Sequence, residues 1–197
     1  MAINLTKGQS IILSKSEYDL SKLTMGLGWD TAKSKKGFFG GGANFDLDSY
    51  ALLLGDNDKL KNYKEDVIYY GHLESSDKTV IHLGDNLTGE GEGDDEQIVL
   101  KLSSLAAQYH RIVLGVNIYQ AKDRKQHFGM VDNAFVRAVD AKGKEIARYS
   151  LSSEPSFDGK ITMLIGEVYR DGGEWKFKAL GNPLADDFNA VVGSFMR

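Results

Sequence analysis

The stretch from 84 to 98, GDNLTGEGEGDDEQI, has the residue types and spacing of a cation site. Between positions 85 and 96 it has three glycines, no lysine or arginine, and six carboxylates: Asp85, Glu90, Glu92, Asp94, Asp95 and Glu96. Two carboxylates about 5 Å apart repel by roughly 3 kcal/mol at an effective dielectric constant near 20. The segment therefore either stays open and hydrated or takes up cations.

Calcium suits this segment because it accepts about six to eight oxygen ligands in flexible cages. Gly89 lets the backbone turn tightly and offers a carbonyl oxygen, and Asn86 supplies a neutral amide oxygen. The segment has the length of an EF-hand loop, but Leu87 replaces a ligand and Glu90 stands where glycine is needed. The loop is therefore not an EF-hand, and a hydrated acidic hairpin tip remains the alternative to a metal site.

A second acidic signal occurs in FDLDSYALLL, at 45 to 54. Asp46 and Asp48 alternate with Leu47, so on a strand both carboxylates would lie on one face and the leucine on the other. Asp30, at the end of LTMGLGWD, is placed to join them. These residues are candidates for a second wall of one cation cluster.

Strict alternation of apolar and polar residues indicates the elements that position these carboxylates. It is clearest at 23–29, 112–118 and 175–179 and is typical of half-buried strands. The turn sequences DAKGKE and RDGGE join neighbouring strand candidates as hairpins. With no linker or repeat, the sequence predicts one all-β domain over residues 1–197, a two-sheet β-sandwich with a few short peripheral helices.

Helix signals are few. Short helical turns are expected within 58–66 and 103–109. A longer helix is predicted at the C-terminus, with Asn182 as its N-cap, Pro183 at its first position, and apolar residues at helical spacing up to Phe195.

Composition excludes several classes of function. The chain has no cysteine, so disulfides and thiolate metal sites are absent, and its formal net charge of -4 argues against nucleic acid as a partner. No run approaches the roughly 18 apolar residues that span a bilayer, and the start does not resemble a secretory signal. The four histidines show no metal-binding spacing and no GxSxG motif occurs. We therefore expect a cytoplasmic protein without membrane insertion and without catalytic residues.

The blocks GLGWD, FDLDSYALLL and GDNLTGEGEGDDEQI resemble the signature blocks of the TerD family of bacterial tellurium-resistance and general stress proteins. LTKGQSIIL, FGMVDNAFVRAVD and GEVYRDGGEWKFKALG extend this resemblance over nearly the whole chain. It implies a calcium-binding β-sandwich with no established catalytic activity.

Carried over residue by residue, the resemblance implies a ligand set for calcium, with two ions expected. Its candidate members are Asp30, Asp46, Asp48, Asp85, Asn86, the backbone of Gly89, Glu92, Asp94, Asp95 and Glu96. It also implies partners, namely other Ter-type proteins and an integral membrane Ter protein at the inner face of the membrane.

One departure from the family pattern falls at 118–124, which reads IYQAKDR where IHDAEAR is common. Tyr119 and Gln120 thus replace a histidine and an aspartate. Three functions remain open at this point. They are a non-enzymatic calcium sensor or scaffold, a metal-dependent enzyme acting on phosphate or oxyanion substrates through the same carboxylates, and an interaction module with a structural calcium site.

Overall fold

The computed structural model describes residues 2–30, 45–84, 93–151 and 155–196. Within these ranges the chain forms two six-stranded sheets. In spatial order, the first sheet contains β1 (Ile3–Asn4), β10 (Glu145–Leu151), β9 (Asp132–Val139), β3 (Leu23–Asp30), β7 (Glu96–Leu100) and β6 (Val80–His82). The second contains β2 (Ser10–Leu13), β12 (Glu174–Leu184), β11 (Thr162–Asp171), β8 (Arg111–Ile118), β4 (Leu47–Leu54) and β5 (Val67–Ile68).

The main hydrophobic core lies between the two sheets. Leu23, Met25, Leu27 and Trp29 alternate along β3 and are all buried in it. Residues of β4, β8 and β11 from the second sheet belong to the same cluster. The structure thus confirms the sandwich that the alternation predicts.

The second sheet is also covered on its outer face. Tyr50, Leu52 and Leu54 of β4 point away from the main core into a second apolar cluster, which includes Val192 of the C-terminal helix. Every residue of β4 is therefore buried, including the polar ones. This double burial explains why β4 is apolar on both faces rather than alternating.

Three short helices accompany the sheets in the described part of the chain: α1 (Tyr63–Asp66), α2 (Ala121–Arg124) and α3 (Phe188–Ser194). The C-terminal helix exists, but its predicted start is wrong. Asn182 and Pro183 extend β12, and Asp187 caps α3 by accepting the Ala190 N–H. Proline is tolerated there because β12 pairs with β2 only at 175–178, which leaves its far end at a sheet edge.

The other turn predictions have mixed outcomes. Residues 171–174 turn between β11 and β12 through Gly172 and Gly173, both with positive φ, as the RDGGE hairpin predicts. The helical turn expected within 58–66 is α1, whereas residues 103–109 form turns without a helix. No helix in the described ranges has the length and hydropathy needed to cross a membrane.

Gly115 of β8 tests the packing of the outer apolar cluster. It is the cross-strand partner of Tyr50, and a Cβ added at Gly115 would overlap the Tyr50 ring. We expect Gly115→Ala to lower the free energy of unfolding by about 1–3 kcal/mol in urea titrations. Gly193→Ala is the matched control, because a Cβ in this helix meets nothing within 4 Å and should raise stability by up to about 1 kcal/mol. Equal effects of the two substitutions would contradict the packing described here.

Candidate metal centre

The predicted ligands fall into three groups. Asp85, Asn86, Gly89 and Glu92 lie outside the described residues. Asp30 is described by its backbone, as the last residue of β3, paired with Asp132 of β9. The remaining five, Asp46, Asp48, Asp94, Asp95 and Glu96, are described with their side chains. Sequence analysis did not single out Asp132, although it lies in the FGMVDNAFVRAVD block.

The acidic start of β4 is buried. Asp46 immediately precedes the strand and Asp48 is its second residue, at 6% and 4% exposure, while Leu47 between them lies in the main core. Asp48 Oδ2 accepts a hydrogen bond of 3.1 Å from Asn117 Nδ2. Asp46 Oδ2 lies 3.6 Å from Nη1 of Arg124. Asp46 Oδ1 is buried and has no hydrogen-bond partner in the described part of the chain.

Glu96 joins the two sheets at this point. It is the first residue of β7, and its fully buried side chain reaches the second sheet, where Oε2 accepts the Ser49 N–H at 2.6 Å. The pairing of β5 with β4 begins only at Ala51, so the edge of β4 at Ser49 is open to Glu96. The acidic start of β7 and the acidic start of β4 are therefore neighbours.

The electrostatics of Asp46 reflect this arrangement. Burial is the largest influence and raises the pKa of its carboxyl above the ordinary value. The Arg124 guanidinium opposes that shift, and the negative charge of Glu96 adds to it. The net direction is upward, so the protein by itself does not fully compensate the ionised form of Asp46.

Asp95 is held by the backbone of β3. Its N–H donates to the Leu27 carbonyl at 2.8 Å, and its Oδ2 accepts the Trp29 N–H at 2.9 Å. These bonds continue the β7–β3 pairing beyond the register pair of Leu27 and Glu96. Asp95 thus lies next to Glu96 at the end of the first sheet where Asp30 ends β3.

Asp94 faces the other side of the first sheet. Both its oxygens accept hydrogen bonds from Arg137, from Nε at 2.7 Å and from Nη2 at 3.1 Å, and Oδ2 also accepts one from Gln97 at 3.0 Å. Its carboxylate lies over Gly26, where a Cβ would overlap it. Arg137 therefore provides the counter-charge of Asp94. In this respect Asp94 differs from Asp46 and Glu96, which lie on the other side of the first sheet.

A buried histidine contacts this region but does not form a hydrolytic triad. The Gly84 N–H donates to His82 Nδ1 at 3.1 Å, whereas Ser49 Oγ and Glu96 Oε2 lie 3.0 and 3.5 Å from the same ring nitrogen, Nε2. A triad needs its nucleophile and its orienting carboxylate on opposite ring nitrogens. His82 and Glu96 have fully buried side chains, so this contact is structural.

Among the residues that the structure describes, no group of three or more histidines, aspartates or glutamates is close enough to hold a metal ion. Asp46 and Glu96 form a partial acidic site at the open edge of β4. The segment between Gly84 and Gly93, which joins β6 to β7, contains four further candidate ligands: Asp85, Asn86, Gly89 and Glu92.

The role of Arg137 as the partner of Asp94 predicts a stability effect. We expect Asp94→Asn to lower the free energy of unfolding by about 1–3 kcal/mol. The substitution removes the charge of the nearly buried Asp94 carboxylate and one of the two hydrogen bonds that it accepts from Arg137. Asp171→Asn is the matched control, since Asp171 is largely exposed and pairs with Lys176, and it should cost less than about 1 kcal/mol. A loss at position 94 no greater than that at 171 would contradict this assignment.

The same network predicts a pH dependence. Hydrogen bonds from Arg148 and Arg137 hold the pKa of Glu145 below its ordinary value of 4.5. The stability that ionised Glu145 contributes is thus fully present above pH 4.5 and is lost as the pH falls below it. Urea titrations from about pH 7 to 3 should show the advantage of the wild type over Glu145→Gln shrinking in that acidic range. A difference that is constant with pH would overturn this expectation.

Comparison with known proteins identifies the family. The chain matches the TerD domain family over residues 1–195. It is 43% identical to the tellurium resistance protein TerX of Serratia marcescens over 100% of both chains. It is 45% identical to the stress response protein SCP2 of Bacillus subtilis (strain 168) over 94% of each chain.

A solved structure supports the fold assignment. A homologue of the telluride resistance protein TerD from Streptomyces coelicolor A3(2) matches with a TM-score of 0.65 at 20% identity, covering 87% of this chain and 95% of that one. At that identity the likeness shows the fold alone. By sequence, the chain belongs to the TerD family, with relatives that are named as tellurium-resistance and stress-response proteins.

Proposed function

We propose that this protein is a non-enzymatic, calcium-binding stress-response protein of the tellurium-resistance type, acting as a sensor or scaffold in a bacterial Ter assembly. Its family and the names of its relatives support the stress-response part. One structural observation supports the calcium part. Asp46 Oδ1 is buried without a hydrogen bond from any described residue, next to a second buried carboxylate.

A buried carboxylate is costly unless charge or hydrogen bonds compensate it. At Asp46 the compensation comes from Arg124, whose Nη1 is 3.6 Å from Oδ2 and leaves Oδ1 without a partner among the described residues. A divalent cation at Oδ1 would supply the missing counter-charge for Asp46 and Glu96 together. Calcium fits because the donors here are carboxylate oxygens, whereas zinc sites prefer histidine and cysteine.

The candidate ligands differ in how well their surroundings suit calcium binding. Asp46 and Glu96 are the best supported, and Asp48 and Asp95 lie beside them in sequence. The segment at 85–92 would contribute Asp85, Asn86, Gly89 and Glu92, and Asp30 would complete the set. Asp94 is the least suited, because Arg137 already donates to both its oxygens.

Calcium binding at this place would have a structural consequence. It would link the 85–92 segment to the start of β4 and stabilise the folded state by mass action, by about 2.7 kcal/mol at a calcium concentration 100 times the dissociation constant. A protein that calcium stabilises in this way can act as a sensor. We further propose that its partners are other Ter-type proteins and an integral membrane Ter protein, which it meets at the cytoplasmic face of the membrane.

The enzyme alternative gains no support from the described residues. The metal-dependent enzyme would use the same carboxylates with one metal position left open for substrate, and the buried serine–histidine–glutamate contact beside them supplies no separate nucleophile. An interaction module with a structural calcium site shares the same metal centre and differs only in where its partners bind.

Asp46→Asn tests the calcium proposal through two measurements, the stability without calcium and the rise in melting temperature on adding calcium. Without calcium, the variant should be at least as stable as the wild type, because burial raises the pKa of Asp46 and its charge is therefore unfavourable in the folded state. With millimolar calcium, the wild type should gain melting temperature, and the variant should lose most of that gain.

Asp94→Asn is the matched control for this titration, since it changes a neighbouring aspartate of the same acidic run. It should be less stable at every calcium concentration and yet keep the calcium-induced rise in melting temperature. The proposal fails if the wild-type melting temperature does not respond to calcium. It fails equally if Asp46→Asn responds as strongly as the wild type.

A further inference from the structure

A cleft of about 360 Å³ opens on the outer face of the second sheet, at the side where α3 begins. Its floor includes Asp48 of β4, Asn117 of β8 and Thr162 of β11. Its walls come from residues 69–70, from the segment 119–123 and from 187–189. A volume of this size suits a small organic molecule. No local sequence pattern indicates this cleft, because its walls come from segments that are distant in sequence.

Aromatic rings form much of the wall. Tyr69 contacts Tyr70 edge to face, with ring centroids 5.3 Å apart, and contacts Phe188 at 5.2 Å. Tyr119 also lines the cleft. Tyr70 is 43% exposed, so a ligand can reach its ring from solvent.

The charge of the cleft is negative. Its described lining contains three carboxylates, Asp48, Asp123 and Asp187, and one ammonium group, Lys122. The Lys122 Nζ is engaged 3.3 Å from Asp187 Oδ2 at the exposed rim. Asp48 is 4% exposed and belongs to the strand residues of the lining, where Asn117 Nδ2 donates to its Oδ2.

A carboxylate at the floor of a pocket with aromatic walls is a recognition site for organic cations, because the ring faces and the carboxylate both attract positive charge. An anionic ligand would be repelled, and an organic cation would contact the apolar walls as well as the carboxylate. We propose that this cleft binds a small molecule carrying an alkylammonium group. The ammonium group pairs with Asp48, and the methylene chain lies against Tyr69, Tyr70 and Phe188.

The test uses 1,4-diaminobutane as the probe, titrated into the calcium-free protein by isothermal calorimetry. Working without calcium keeps the outcome separate from the metal proposal, with which the cleft shares Asp48. The diamine should bind, whereas 1,4-butanediol, of the same length without charge, and succinate, with the opposite charge, should not. Amide NMR shifts at Tyr69 and Asn117 should follow the same titration.

Variants locate the binding site. Tyr70→Ala should weaken diamine binding by roughly fivefold, and Asp48→Asn by at least about tenfold. Tyr63→Ala is the matched control, since this tyrosine is 37% exposed and does not line the cleft, and it should bind as the wild type does. The proposal is overturned if the diamine does not bind, if the diol binds equally well, or if Tyr63→Ala weakens binding as much as Tyr70→Ala.

Discussion

The contact between Glu96 and the Ser49 N–H connects the first sheet to the open edge of β4, and the candidate metal centre depends on it. Through this contact the acidic start of β7 lies against the acidic start of β4. Burial makes the Asp46 carboxylate costly as an ion and raises its pKa. Because Asp46 and Glu96 are buried together where the two sheets meet, positive charge at this place would stabilise the folded state.

The short run Asp94, Asp95 and Glu96 shows that acidic residues adjacent in sequence can have different partners in the fold. Glu96 turns toward the second sheet, Asp95 binds the β3 backbone, and Asp94 pairs with Arg137 across Gly26 on the outer face. Only Glu96 belongs to β7, and Asp94 and Asp95 precede the strand with partners of their own. A dense acidic motif at the start of a strand therefore need not act as one ligand cluster. Position 26 requires glycine because the Asp94 carboxylate occupies the space that a side chain at this position would need.

Much of the fold followed from local patterns, and much of the site did not. Alternation correctly predicted β3 and β8, and the Gly-Gly turn predicted the β11–β12 hairpin. Pro183 was misassigned to a helix because its place at a free strand end depends on the short pairing of β12 with β2. The partners Arg137 and Ser49 are 43 and 47 residues away from the carboxylates that they contact. No local pattern reports such contacts, and the cleft beside α3 depends on long-range packing in the same way.

We propose that a divalent cation compensates the buried carboxylates beside β4. A crystal structure of the protein grown with calcium tests it most directly. We expect an ion within about 2.3–2.6 Å of Asp46 Oδ1, with further oxygens from the 85–92 segment around it. Well-ordered density with calcium absent from that oxygen, and Arg124 or water bound there instead, would contradict the account.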